Sequence, residues 1–296
     1  MKKFLLLFMV LFLSSVDCSA EMIAERSGGA IIVKSANISE VEELFKQHNY
    51  QNFAVRNGVF PRIYLTKLPR DWQTVPDNNS KHQTFIRIIL PLVLKVNEDI
   101  LHEREQISNL WDKFSSSGKL SSSELQMIED KSVKYNISTP LSGDTRIAYL
   151  LKHLLNNVDV LPPSLMISTA AIYTDWGMSR LAVDANSLYR TEVWYTNQGL
   201  KPLDDSTAEY SYKIYANLEE CIAERALQLN SHINYEYFRK ARTMNREINQ
   251  PPHGPQLAVY MIKDSNLPNI AGLIDYTFTF YKLDKTDYFP KLEGVK

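Results

Sequence analysis

Cysteine is scarce in this chain: two occur in 296 residues, Cys18 and Cys221. If the first is lost with a leader, no intramolecular disulfide can form, and a large core rather than covalent staples must hold the fold. Cys221 falls on a predicted helix face and reads as a buried small hydrophobe, not a nucleophile. Glycine is also sparse, at 10 residues, and there is no phosphate-binding loop, dinucleotide fingerprint or nucleophile elbow. The six histidines, at positions 48, 82, 102, 153, 232 and 253, show no metal-ligand spacing, so neither a metal nor a cofactor is expected. No charge of one sign dominates: 33 Lys and Arg face 34 Asp and Glu, a formal net charge of -1. That balance gives no electrostatic case for nucleic acid as a partner.

The longest apolar run is LLLFMVLFL, preceded by Lys2 and Lys3 and followed by small residues from Ser14 to Ala20. It is shorter than the ~20 residues a membrane span needs and reads as a secretory signal peptide over 1–20, with Cys18-Ser19-Ala20 as the cleavage tripeptide. The mature chain then begins near Glu21, exported to the periplasm or cell envelope without a transmembrane span. An uncleaved anchor is the alternative. A lipoprotein would need Cys18 as its first residue, and Asp17 before it fits poorly.

After the leader, residues 21–37 read as a loose segment and Ser39 with Glu42 as a capping box for a helix ending near His48, together a unit over 21–52. FAVRNGVFPRIYLTKLPRDW alternates and carries Pro61 and Pro69, predicting short extended pieces. A long helical pattern runs from Gln83 to about Phe114, and Pro91 inside it predicts a kink or a division. Ser121 with Glu124 opens a further helix and Arg146 to Leu155 another, closing a helical region over 53–157. In 158–296, PPSLMISTAAIYTDWGMSR reads as a buried helix with prolines at its entrance and a break at Trp176-Gly177. SLYRTEVW and EYSYKIYAN alternate as strands of a hairpin, joined by a loop with Gly199, Pro202, Asp204 and Asp205. Asn217 with Glu220 caps a helix to about His232, and three more helical segments follow. The fold class is α+β, mostly α-helical, with a small β hairpin beside a cleft.

What the chain has in supply is aromatics, 16 Tyr and 4 Trp. Rings cover the apolar faces of sugars while Asn, Asp and Gln take the hydroxyls. Most of these rings are expected to be core; Trp176 and Tyr189 border the presumed cleft.

The segment SLMISTAAIYTDWGMSRLAVDANSLY resembles the glucosaminidase domain of bacterial peptidoglycan hydrolases, most closely its Bax-like branch. That branch shows Glu-Ser-x-Trp-Gly-x-Ser-Arg after a helix of small residues, then an Asn-Leu-Phe-Gly-like stretch. Trp176, Gly177, Ser179, Arg180, Asn186, Leu188 and Tyr189 match it, and the likeness covers roughly residues 53 to 290. The resemblance implies a lysozyme-like fold, peptidoglycan or a related N-acetylglucosamine glycan as partner, and cleavage after N-acetylglucosamine by a helix-end glutamic acid. It also implies substrate contacts at Trp176, Ser179, Arg180, Asn186, Tyr189, Tyr276 and Tyr288.

Two positions depart from the pattern. Tyr173 stands where the family has its catalytic Glu, and Arg190 replaces the glycine of the later stretch. Asp175, Glu192 and Glu209 are the carboxylates nearby that are candidates for the acid role, with a solvated surface position as the plainer reading of each. Tyrosine, ordinarily titrating near ~10, donates protons poorly at neutral pH. Two functions stay open: a glucosaminidase-like enzyme with weak or relocated chemistry, and an inactive glycan-binding or regulatory scaffold.

Overall fold

The computed structural model describes residues 21–51, 58–194, 198–203, 205, 207–261, 269–288 and 290–295; the leader and Asp204 lie outside them. Strands β1 (Ile23–Ser27) and β2 (Ala30–Ser35) form an antiparallel hairpin. This corrects the expected loose segment at 21–37. Gly28 and Gly29 both take positive φ, 56° and 77°, the geometry of a two-residue hairpin turn that glycine permits. Helix α1 (Ile38–Gln47) is capped by Asn37, whose side chain accepts from Glu40 N while Glu40 closes the box. The start is thus two residues earlier than the Ser39 box predicted, because Asn37 and Glu40 satisfy the same reciprocal chemistry. Strands β3 (Val59–Pro61) and β4 (Ile63–Leu65) follow, β4 joining β2 in parallel.

Helix α2 (Asn79–Ser117) runs 39 residues without a break through the buried Pro91. Asn78 caps its start, and Gly118 at φ 63° ends it. Helix α3 (Ser122–Lys134) keeps the predicted Ser121/Glu124 box, and α4 (Gly143–Asn157) follows. Helix α5 (Pro163–Thr174) has every residue buried except Ile172. A helix apolar all round belongs in a core, and α2, α9 (Gly254–Ala258), α10 (Ile270–Tyr281) and α11 (Asp284–Asp287) all pack on it.

Between α5 and α9 come the short α6 (Arg180–Ala185), strands β5 (Glu192–Trp194) and β6 (Tyr210–Tyr212), and helices α7 (Leu218–Ser231) and α8 (Glu236–Glu247). The β5–β6 hairpin is antiparallel with Glu192 opposite Tyr212. It is shorter than SLYRTEVW and EYSYKIYAN predicted, since Leu188 N instead donates to Cys221 Sγ at 3.3 Å and anchors that stretch to α7. Strand β7 (Lys291–Glu293) closes the chain, parallel to β3. The architecture is α+β and mostly helical, with three small sheets where one was expected. No helix among the described residues is long and apolar enough to cross a membrane.

Two buried polar clusters fix the start of α5 in space. Before it, Asp159 is paired with Arg246, with Arg104 at 3.7 Å. Arg242 donates to the carbonyl oxygens of Asn157 and Asp159, each at 2.9 Å, tying the end of α4 to α8. These cations hold the Asp159 carboxyl below the usual range although burial opposes it. At the helix start, Asp287 accepts from Ser164 N at 2.8 Å, Ser164 Oγ at 2.6 Å and Gly254 N at 2.9 Å.

Candidate functional site

The C-terminal end of α5 is built from an unwinding. Asp175, Trp176 and Gly177 take φ of 50°, 55° and 82° in succession, a left-handed run that only the glycine adopts freely. Local bonds hold it: Trp176 N donates to Ala171 O at 2.8 Å, Gly177 N to Thr174 Oγ1 at 2.9 Å, and Ser179 N to Thr174 O at 2.8 Å. Gly177 is required for space as well as for φ, since a Cβ there would lie 2.7 Å from Leu68 Cδ1 and 2.9 Å from Trp72 Nε1.

Tyr173, which the sequence resemblance sets at a catalytic Glu position, is buried at 3% exposure, and its carbonyl oxygen accepts from Arg190 Nε at 2.8 Å. Arg190 itself stands at φ 51°. Asp175, by contrast, is exposed at the unwound cap. The two candidates at the helix end therefore separate, with Tyr173 inside and Asp175 outside.

Trp176 is half-buried and central to a cluster of rings. His82, near the start of α2, stacks on it with centroids 4.1 Å apart and planes 12° from parallel. Tyr281, the last residue of α10, lies 4.7 Å from it and Phe85 5.9 Å. His82 is held at both nitrogens, Nδ1 at 2.5 Å from Tyr281 Oη and Nε2 at 2.7 Å from Asp77 Oδ1. Beyond Tyr281 the rings continue outward through Phe280 at 4.9 Å to Tyr276 at 5.6 Å, on the exposed side of α10. Burial pushes the Tyr281 phenol up to about 12, with Tyr276 and Asp77 adding to the shift.

The β5–β6 hairpin follows Arg190, whose side chain is bonded to the helix end. Glu192 and Glu209 are exposed there, and Trp194 packs 5.2 Å from Tyr210. The Tyr212 phenol, opposite Glu192, is raised to about 12, chiefly by burial.

No family model matches the chain. It is 24% identical over 248 residues to Protein bax of Escherichia coli (strain K12), a span of 82% of this chain and 81% of that protein. That similarity runs through most of both chains. Among solved structures, the catalytic domain of the autolysin Auto from Listeria monocytogenes is matched at 16% identity, over 61% of this chain and 96% of that one. The TM-score of 0.31 is too low to define a common fold.

Several residues singled out from the sequence hold the fold around the helix end. Ser179 caps α6, its side chain accepting from Ala182 N. Arg180 donates to the carbonyl of Lys201, linking α6 to the hairpin loop. Asn186 ends α6 in a left-handed turn and donates to Tyr215 O at 3.0 Å. Tyr189 is a core residue at 4% exposure, not a cleft wall; its hydroxyl donates to Met166 O at 3.2 Å, and burial holds its phenol well above the ordinary value. Tyr276 is 63% exposed on α10. Tyr288, also exposed, follows Asp287, which caps the other end of α5, one helix length or ~18 Å away.

Cys221 is buried as expected, its thiol raised to about 12 by that burial. A cavity of about 570 Å³ opens at the start of α5, with Leu94, Leu101, Leu161, Pro251, Arg246 and Leu292 in its wall. None of the residues selected from the sequence lines it. Among the described residues no group of three or more His, Cys, Asp or Glu is placed to hold a metal.

Spacing arguments missed His82, Asp77, Phe280 and Tyr281. The only signal for Phe280 and Tyr281 was the aromatic density of YTFTFY, which reads equally as core, and His82 and Asp77 carried none.

Proposed function

We propose that this Bax-like protein is an exported, peptidoglycan-directed protein of glucosaminidase type that binds N-acetylglucosamine-containing strands at the end of α5 and hydrolyses them weakly or not at all. The burial of Tyr173 at the family's acid position carries this reading. Hydrolysis needs a carboxylic acid of raised pKa that reaches the leaving oxygen. Here that position offers an inward-facing phenol whose backbone is locked by Arg190. Loss of a general acid alone costs ~10²–10⁴-fold in rate. Exposed aromatics beside the helix end keep what sugar binding needs.

One observation favours a second reading, in which Asp175 has taken over the acid role. The helix has already unwound at that residue, so its side chain is not fixed on the helical face turned from Tyr173.

Co-sedimentation of the mature chain, from Glu21 onward, with purified sacculi tests the binding. Retention competed by soluble N-acetylglucosamine oligomers is expected. No retention, or equal retention on cellulose, contradicts the proposal.

A further inference from the structure

We infer that the outer face of α10 is a stacking track along which a glycan strand lies as it approaches the end of α5. The inference deepens the glycan-binding reading above and rests on it. Tyr276 and Phe280 sit one helical turn apart, with ring planes 24° from parallel and centroids 5.6 Å apart. They are 63% and 53% exposed. Two large rings left side by side in water are an apolar surface that folding has not covered, and such surfaces mark contact sites.

The rings are also fixed in place. Phe280 touches Tyr281, whose hydroxyl is bonded to His82, which is bonded to Asp77 and stacked on Trp176. A bonded and stacked base of this kind removes the ordering cost of binding, which flat rigid ligands such as pyranose rings reward. The track ends at Trp176, the residue after Asp175, so it is continuous with the candidate site.

The chemistry of the face favours a neutral sugar. Helix α10, IAGLIDYTFTFY, carries no Lys or Arg, whereas helices that lie on anionic membranes are rich in them. Exposed Asp275 and Thr279 supply hydroxyl partners beside the rings. Rings backed by hydrogen-bonding edges are the pattern for carbohydrate.

The test is titration of the mature protein with the hexamer of N-acetylglucosamine, followed by tryptophan fluorescence, for wild type, Tyr276→Ala, Phe280→Ala and Phe280→Trp. Each alanine variant should bind roughly 3- to 10-fold more weakly, the scale of one lost ring contact, and Phe280→Trp should bind as wild type does. Thermal denaturation should be unchanged, because both side chains are exposed. If wild type is retained on sacculi while both alanine variants bind the hexamer unchanged, the track is wrong and the broader reading survives. If wild type binds neither sacculi nor hexamer, both fail. A concentration-dependent dimer in sedimentation equilibrium that either alanine change abolishes would assign the face to self-association and overturn the inference.

Discussion

Arg190 donates from Nε to the carbonyl oxygen of Tyr173 at 2.8 Å, so the two residues that depart from the glucosaminidase pattern touch each other. The guanidinium places a cation at the C-terminal end of α5, where the helix dipole favours it. It does so from φ 51°, a conformation that glycine adopts without strain.

Replacing this arginine separates the two effects. Arg190→Ala loses the bond and keeps the left-handed backbone, and is expected to cost about 1–2 kcal/mol. Arg190→Gly loses the same bond but relieves the strain, and should be more stable than Arg190→Ala by about 1 kcal/mol. Urea denaturation of the three proteins measures this. Equal stability of the alanine and glycine variants would show that the arginine is not strained.

Asp287 gives a pH-dependent test. Burial raises its folded value to about 7, against an ordinary value of 3.8, with the three hydrogen bonds opposing that shift. The folded chain therefore keeps a proton that the unfolded chain has released. Stability from this group is present below pH ~4, falls as pH rises, and levels off above about 7. The slope is at most ~1.4 kcal/mol per pH unit. In Asp287→Asn no proton titrates there, so the stability of wild type minus that of the variant should decline from pH 4 to 7 and then stay flat. Urea midpoints at several pH values supply the comparison. A difference that rises over this interval would mean the carboxylate is ionised in the fold.

Gly177→Ala should loosen the site itself. The added carbon would crowd Leu68 and Trp72 at 2.7 and 2.9 Å and would also sit at φ 82°. A loss of about 2–4 kcal/mol is expected from overpacking and backbone strain together. Because Trp72 Nε1 donates to Trp176 O at 3.0 Å, the indole environment should change as well. Tryptophan emission that stays at the wild-type position, with unchanged stability, would contradict this packing.

The parts of the fold legible in the sequence are those with local chemistry. The Ser121/Glu124 box and the Asn217 cap act within four residues, and both helices start there. The apolar run of α5 announces burial by composition alone. The β1–β2 hairpin was obscured because β1 is exposed along its whole length and so lacks an apolar alternation. Asn37 competed with Ser39 for the same cap, and local rules rank the two closely. Pro91 broke nothing, since neighbouring helices bury and support that stretch of α2. The site was the least legible part. His82, Trp176 and Tyr281 meet from three distant stretches, and no spacing rule connects them. Tyr189 matched a family position and sits inside, because a motif match carries no information on which way a ring points.

Muropeptide release from purified sacculi by the mature wild-type protein tests the account most directly, with Asp175→Ala and the Tyr173→Glu/Arg190→Gly double variant beside it. The account predicts that wild type and Asp175→Ala are retained on sacculi and release little or nothing, while the double variant, with an acid restored at the helix end and the cation removed from beside it, gains release. Efficient release of N-acetylglucosamine reducing ends by wild type, abolished in Asp175→Ala, would contradict it and place the acid at the unwound cap.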